Sequence, residues 1–583
     1  MSTATVRSPA AGTAAPQAQP AAHSRHALLL AVCCTAQFMV ILDVSIVNVA
    51  LPSIRESLGF SAIDLQWIVN AYAVTFAGFL MLGGRAADLF GQRRVFMTGL
   101  LLFAFASLAG GVAQSQGMLI GARALQGLGG AIMAPASLAI INSSYAPGPE
   151  RLRAIGLWGA MSGAGGAAGV LAGGVITQTL GWRWILLINI PIGIAAALVA
   201  SAAVAERRRE DAGSFDLAGA LSITGGLLAL VYGIVSAGAD SWGSAEALGP
   251  IALGIVLLVA FVVIEARFAT DPLVPLRAFS IRLLRISNLI VLTFSAALFP
   301  MWYFLSLYLQ LVLHMTPIGA GLAFLPMALT IMVCATRAGR LVGRYGAGPV
   351  LGVGLTLMAA GLALFARITV DGGYGQDLLL PGLLASIGVG LAFVPATIAA
   401  TAGVAPSEAG LASGLVNTSR QMGGALGLAL LTSLGTQYTA HLISSDYQPP
   451  LVALTNGFRL AFLISAGFAA IGAATAFRFI PRVRPGRPPA APPSTGATVH
   501  PLPVAPHAAP PPPLASAAVS AAAQTAHDAT PPPPKKDPEP IPPAPVVPPR
   551  PPATVSFRLP GERRWPLGGC FTIPVVIEAG ERG

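Results

Sequence analysis

Apolar residues run along this chain in blocks of about 20, each closed by a short polar stretch, and a block of that length spans a bilayer core as a helix. The blocks fall near 28–50, 65–84, 95–114, 118–141, 154–176, 184–204, 217–236, 248–267, 288–312, 319–337, 348–367, 379–400, 411–436 and 458–480. In lipid, backbone groups must be satisfied within the segment, so these fourteen blocks predict an all-α polytopic membrane protein with 14 transmembrane helices.

The polar stretches orient the spans. An N-terminus in the cytoplasm places Arg25, Arg85, Arg93, Arg94, Arg151, Arg153, Arg207 to Arg209, Arg277, Arg282, Arg285, Arg337, Arg340, Arg344, Arg478, Arg482 and Arg484 on that side. Only Arg55, Arg183, Arg367 and Arg459 then face outward, which is the positive-inside pattern. A multi-pass protein of the cell membrane with both termini cytoplasmic is expected. The first block continues to Pro52, too long for a cleaved signal peptide.

One polar stretch returns. GGRAADLFGQRRVF at 83–96 has a weathered copy, GRLVGRYGAGPV, at 339–350, after the second and the tenth span. Two six-helix halves with an inserted helix pair put the copies in equivalent places, and duplicated halves are how carriers build two bundles around a central site. The expected divisions are a disordered N-terminus at 1–26, an N-terminal bundle at 27–204, a linker and inserted helices at 205–287, a C-terminal bundle at 288–480 and a Pro/Ala-rich cytoplasmic tail at 481–583. The tail's composition favours extended, disordered chain.

Composition narrows the chemistry. Only 10% of the 583 residues are charged and 54% are hydrophobic, against about 25% charged in soluble domains. The net charge of +11 is spread over loops between spans, so nucleic acid is not the expected partner; the lipid bilayer is. Cys33, Cys34 and Cys334 lie inside spans, offering neither a disulfide framework nor a metal site. No metal-ligand cluster or paired nucleophile and base supports an enzyme, and no cofactor is implied. The only lysines are Lys535 and Lys536, in the tail, so there is no phosphate-binding loop for ATP.

The motifs carry a resemblance. GRAADLFGQRR, with Gly84, Asp88, Gly91, Arg93 and Arg94, resembles the loop motif of the major facilitator superfamily. LDVSIVNVALP, through Asp43, Asn48, Ala50, Leu51 and Pro52, resembles the first-span motif of its fourteen-span drug:proton antiporters; RALQGLGGA from Arg123 and WRWILLINIPIG from Trp182 are similar to further motifs of that family. The likeness covers roughly residues 28–480. It implies the major facilitator fold and proton-coupled export of small amphipathic drugs, antibiotics or metabolites, with protons as the coupling partner. A dedicated exporter of one product and an uncoupled facilitator or importer are the alternatives. In the fifth span Gly156, Gly165, Gly169, Gly173 and Gly174 hold the family spacing, but Val170 stands where the antiporter motif has proline. Glycines four apart form a groove for a neighbouring helix, so these are expected first as packing residues.

Ionisable groups within spans need partners. Asp43 lies about 12 Å from the outer end of its span and Arg123 about 9 Å from the same face, at 1.5 Å per residue. Matched depths predict a shared cavity or an ion pair, with Asp43 binding the coupling proton or a cationic substrate and Gln126 a candidate for lining the substrate cavity. Arg420, beside Asn417 and Gln421, sits near the middle of span 13, where it either binds substrate or bonds backbone across the bundle. Trp67, Asn70, Tyr72, Tyr303, Phe304, Tyr308 and Gln310, together with Asn48, are candidates for lining a substrate cavity, with packing as the alternative for each aromatic. Some family members carry a carboxylate where Asn70 stands, and its absence argues against dications. The resemblance implies that Asp88 faces the cytoplasmic start of span 13, latching the halves.

Overall fold

A computed structural model describes residues 20–146, 148–208, 216–405 and 408–482; the tail expectation lies outside these residues. Every regular element among them is helical. The first half holds α1 (Pro20–Leu58), α2 (Trp67–Phe90), α3 (Gln92–Gly111), α4 (Gln116–Ser144), α5 (Pro149–Thr179) and the pair α6 (Trp184–Leu187) and α7 (Asn189–Ala203), which form one broken span. Next come α8 (Leu217–Ala239) and α9 (Ala245–Val263). The second half holds α10 (Arg282–Leu307), α11 (Pro317–Tyr345), α12 (Ala347–Phe365), α13 (Leu380–Thr401), α14 (Ala409–Ser444) and α15 (Pro450–Phe479).

Thirteen helices among the described residues are long and apolar enough to cross a membrane. The remaining long one, α14, has 36 residues and measures about 54 Å, beyond the roughly 30 Å of a bilayer core. Several helices run past the apolar blocks because local chemistry caps them in the polar flanks. Ser115 accepts the Met118 amide at the start of α4, and Thr316 accepts that of Gly319 at the start of α11, with Pro317 at the first position.

The halves repeat. The pairings α1–α5, α2–α4, α3–α4, α3–α7 and α1–α7 recur as α10–α14, α11–α13, α12–α13, α12–α15 and α10–α15. Across the seam α5 packs on α11 and α2 on α14, while α8 and α9 pack on each other and α8 leans on both α2 and α14. The two loop copies repeat in backbone detail. Gly91 (φ 102°) ends α2 and starts α3; Gly346 (φ 89°) ends α11 and starts α12. A reversal within one residue needs a positive φ, which glycine adopts without steric cost. Each of these glycines abuts the chain leaving its half, at Glu206 and Arg482 respectively.

Candidate functional site

Asp43, on α1, is fully buried, and so is nearly all of Arg123 on α4; their side chains meet at 2.5 Å. Burial of either alone costs at least about 2.5 to 3.5 kcal/mol at mid-membrane depth, so the pair forms with its remaining valences filled. The Arg123 Nε donates to the Ile68 carbonyl of α2 at 2.9 Å, and its terminal nitrogen also reaches Gln126 at 2.8 Å. Gln126 in turn donates to Asp43 Oδ1 at 3.1 Å and to Ser107 of α3 at 2.7 Å. Asn189, the first residue of α7, donates to the same carboxylate oxygen at 3.2 Å. Four helices and the break before α7 therefore converge on one carboxylate. The guanidinium also stacks over Tyr72, 4.7 Å from the ring centroid, and the buried Tyr72 hydroxyl has no hydrogen-bond partner among the described residues.

Arg420 comes to this centre from the other half. Its guanidinium lies 5.1 Å from the Phe393 ring of α13 and close enough to Tyr72 of α2 to interact electrostatically. Asn417 stands three residues earlier on the same helix face, donating to Ser413 at 3.1 Å, and Gln421 is buried beside it.

Other candidates fall elsewhere. Phe304 is buried in an aromatic stack with Tyr303, Phe458 and Phe462, and Phe365 stacks on Phe462. Tyr308 is buried, donating to the Thr369 carbonyl at 2.6 Å. These rings belong to one buried apolar cluster and Tyr72 to another. Trp67 packs on Tyr232 of α8, with ring centroids 6.3 Å apart, and Asn70 bonds Gln66 one turn away at 3.3 Å. Gln310 is a cross-half tie: it donates to the Val49 carbonyl at 2.9 Å, and its neighbour Ser306 donates to the Asn48 carbonyl at 2.5 Å. Asn48 itself bonds within its own helix.

The glycine row of α5 is a groove with one exception. A Cβ on Gly165, Gly169 or Gly173 would come within 2.9 Å of the carbonyl oxygens of Phe38, Leu42 and Ile46 respectively, a four-residue step on both helices. Gly174 turns the other way, against Pro317 and Ile318 of α11. Gly156, expected as a packing glycine, departs from the row: among the described residues nothing lies within 4 Å of where its Cβ would be, so no neighbouring helix closes on it there. Val170 leaves α5 unbroken, and its carbonyl sits against Gly321 of α11.

At the loop, Arg93 and Arg94 each approach Glu206 at 3.6 Å, and Gln92 donates its amide to the Arg207 carbonyl at 3.0 Å. Arg85 pairs with Asp271 at 3.3 Å. Arg93 and Arg94 thus hold the segment after α7 and Arg85 the segment after α9, while Glu408, at the start of α14, pairs with Arg277 at 3.5 Å. Gly84 makes only ordinary contact with Pro135; the close approach belongs to its neighbour Gly83, whose Cβ would meet the Ala131 carbonyl at 2.2 Å. Sequence reasoning missed Gly83, Ser107, Asn189 and Glu206. For Asn189 a signal existed, an amide side chain set in an apolar span.

Comparison with known proteins places this architecture. The model of the Major Facilitator Superfamily matches residues 33–428 and 338–532. The cephamycin export protein CmcT of Amycolatopsis lactamdurans is 43% identical over 444 residues, 75% of this chain and 91% of that protein. The puromycin resistance protein pur8 of Streptomyces alboniger is 40% identical over 457 residues, 77% and 90% of the two chains. Among solved structures, an auto inhibited POT family peptide transporter superposes with a TM-score of 0.58 at 14% identity, covering 80% of this chain and 99% of that one, a likeness of fold.

Proposed function

The chain belongs to the major facilitator superfamily and is a multi-pass membrane transporter, not an enzyme; within that family we propose that it is a proton-coupled antiporter of the cell membrane, exporting small amphipathic compounds, antibiotics among them. The observation that carries the coupling is the buried carboxylate of Asp43, held at once by Arg123, Gln126 and Asn189. A proton on Asp43 removes the charge that Arg123 faces. The guanidinium then has only neutral partners, on α2 and on its own helix, and the packing of α1, α2 and α4 changes with the protonation state. The export direction and substrate type are supported by the names of the relatives, an export protein and a resistance protein.

Contacts across the seam support alternating access. At the end remote from the arginine loops, Ser306 and Gln310 bind the α1 backbone and Gly174 closes on α11. At the other end of the same helix pair, Gly156 and Gly159 of α5 and Gly339 and Gly343 of α11 make no such close approach. With the arginine loops cytoplasmic, this is a conformer sealed toward the outside.

Uptake of a fluorescent substrate into everted vesicles, with and without an uncoupler, tests the reading. Accumulation that collapses with the proton gradient is expected, and accumulation indifferent to it would overturn the coupling. Proton release on adding substrate to purified protein locates the site: wild type releases protons and Asp43→Asn does not, whereas equal release from both places the proton elsewhere.

A further inference from the structure

We propose that the compounds carried in the central site bear an anionic group, a carboxylate or sulfonate, and that Arg420 holds it. This rests on the transport reading above and narrows its substrate class. Among the described residues Arg420 has neither an ion-pair nor a hydrogen-bond partner; its one close companion is the Phe393 ring. A guanidinium in mid-span faces the bundle interior or a water-filled cavity and is balanced by some opposite charge.

Two observations fix where it faces. Gly414, six residues earlier on α14, lies against Met81 of α2, which sets this helix along the seam, and Arg420 itself comes close enough to Tyr72 of α2 to interact with it electrostatically. Arg420 therefore faces the other half across the seam, away from lipid. Arg420 is also only partly buried, as is Phe393, 36% exposed, so both border open space there.

No residue in the centre supplies the missing charge. Asp43 is the one acidic residue well inside a span of either half among the described residues, and it is committed to Arg123. The centre therefore carries one net positive charge. Its planar fork matches the two oxygens of a carboxylate or sulfonate. Asn417, whose amide has a second hydrogen beyond the one given to Ser413, stands one turn away on the same face. Phe393 offers its ring to the apolar body. An amphipathic cation meets repulsion at the same place.

The test uses the full chain in lipid nanodiscs, without any gradient, and two probes of one skeleton: 11-(dansylamino)undecanoic acid and its neutral primary amide. Saturable binding is read by dansyl fluorescence against empty nanodiscs. The acid should bind at least about tenfold tighter than the amide, a ratio worth about 1.4 kcal/mol. Arg420→Gln should bring the two within about twofold by weakening the acid alone, and Arg420→Lys, which keeps the charge and loses the fork, should fall between. Equal binding in wild type, a preference that survives Arg420→Gln, or no saturable binding of either probe would overturn the proposal. Because the binding is read without any gradient, a preference for the acid that depends on Arg420 stands or falls separately from the uncoupler test of proton-driven export.

Discussion

Asn189 donates to Asp43 across 3.2 Å from the very residue at which α6 gives way to α7. The interruption of the sixth span and the ion pair of the first and fourth are thereby one structure. Asn189→Leu, similar in size and unable to donate, leaves Oδ1 with Gln126 alone. A buried hydrogen bond lost to a charged acceptor costs about 1 to 3 kcal/mol. Thermal unfolding of the purified protein should drop by several degrees, with slower transport per molecule. Unchanged melting and turnover would show that Asn189 only fills space.

Arg123 should tolerate no simple replacement. Arg123→Ala strands a buried carboxylate and should destabilise the fold by about 3 to 5 kcal/mol. Arg123→Lys restores charge but cannot reach Asp43, Gln126 and the Ile68 carbonyl together. The expectation is a protein that inserts and melts near wild type yet transports several-fold more slowly; full turnover in reconstituted vesicles would argue for a purely electrostatic pair.

The glycines of α5 should divide sharply. Gly169→Ala places a methyl 2.9 Å from the Leu42 carbonyl and closer still to the Ser45 hydroxyl, so α1 and α5 must separate. Melting temperature and turnover should both fall. Gly156→Ala meets nothing within 4 Å and should be neutral, or stabilising by up to about 1 kcal/mol through helix propensity. Equal behaviour of the two would dispose of the groove.

Glu206→Gln removes the acid shared by Arg93 and Arg94. Arg94 is 77% exposed and Glu206 27%, so each pair contributes less than about 1 kcal/mol after solvent screening, and melting should scarcely move. Turnover is the sensitive quantity, because the acid fixes the loop to the chain leaving the first half. A several-fold loss at low salt, shrinking as ionic strength rises, is expected; identical turnover at all salt concentrations would leave the arginines a topological role alone.

Hydropathy made the spans legible because the bilayer imposes a length and an apolar composition that sequence displays directly. Each of the fourteen blocks lies largely within a helix or the broken α6–α7 span, with ends displaced by caps such as Ser115 and Thr316. Asp43 and Arg123 were legible as partners from depth alone. Ser107 and Glu206 were not, since nothing in their own surroundings distinguishes them; their roles come from Gln126 and Arg93, on other helices. Aromatic residues stayed open between packing and cavity lining for the same reason. Phe304 and Tyr72 have similar chemistry, and only the neighbours supplied by α15 and α4 set one in a core and the other beside a charge.

The remote seal joins Ser306 of α10, and Gln310 in the π-helical turn Tyr308–Val312 that continues it, to the main-chain oxygens of Asn48 and Val49 on α1. A carbonyl belongs to every residue, so substitution along α1 leaves both acceptors where they are. Only the α10 span and the turn that continues it can be edited to tighten or loosen these two contacts. On the transport reading proposed above, that part of the outer seal is written at two positions one turn apart, where drift or deliberate design can retune it without touching whatever the centre recognises.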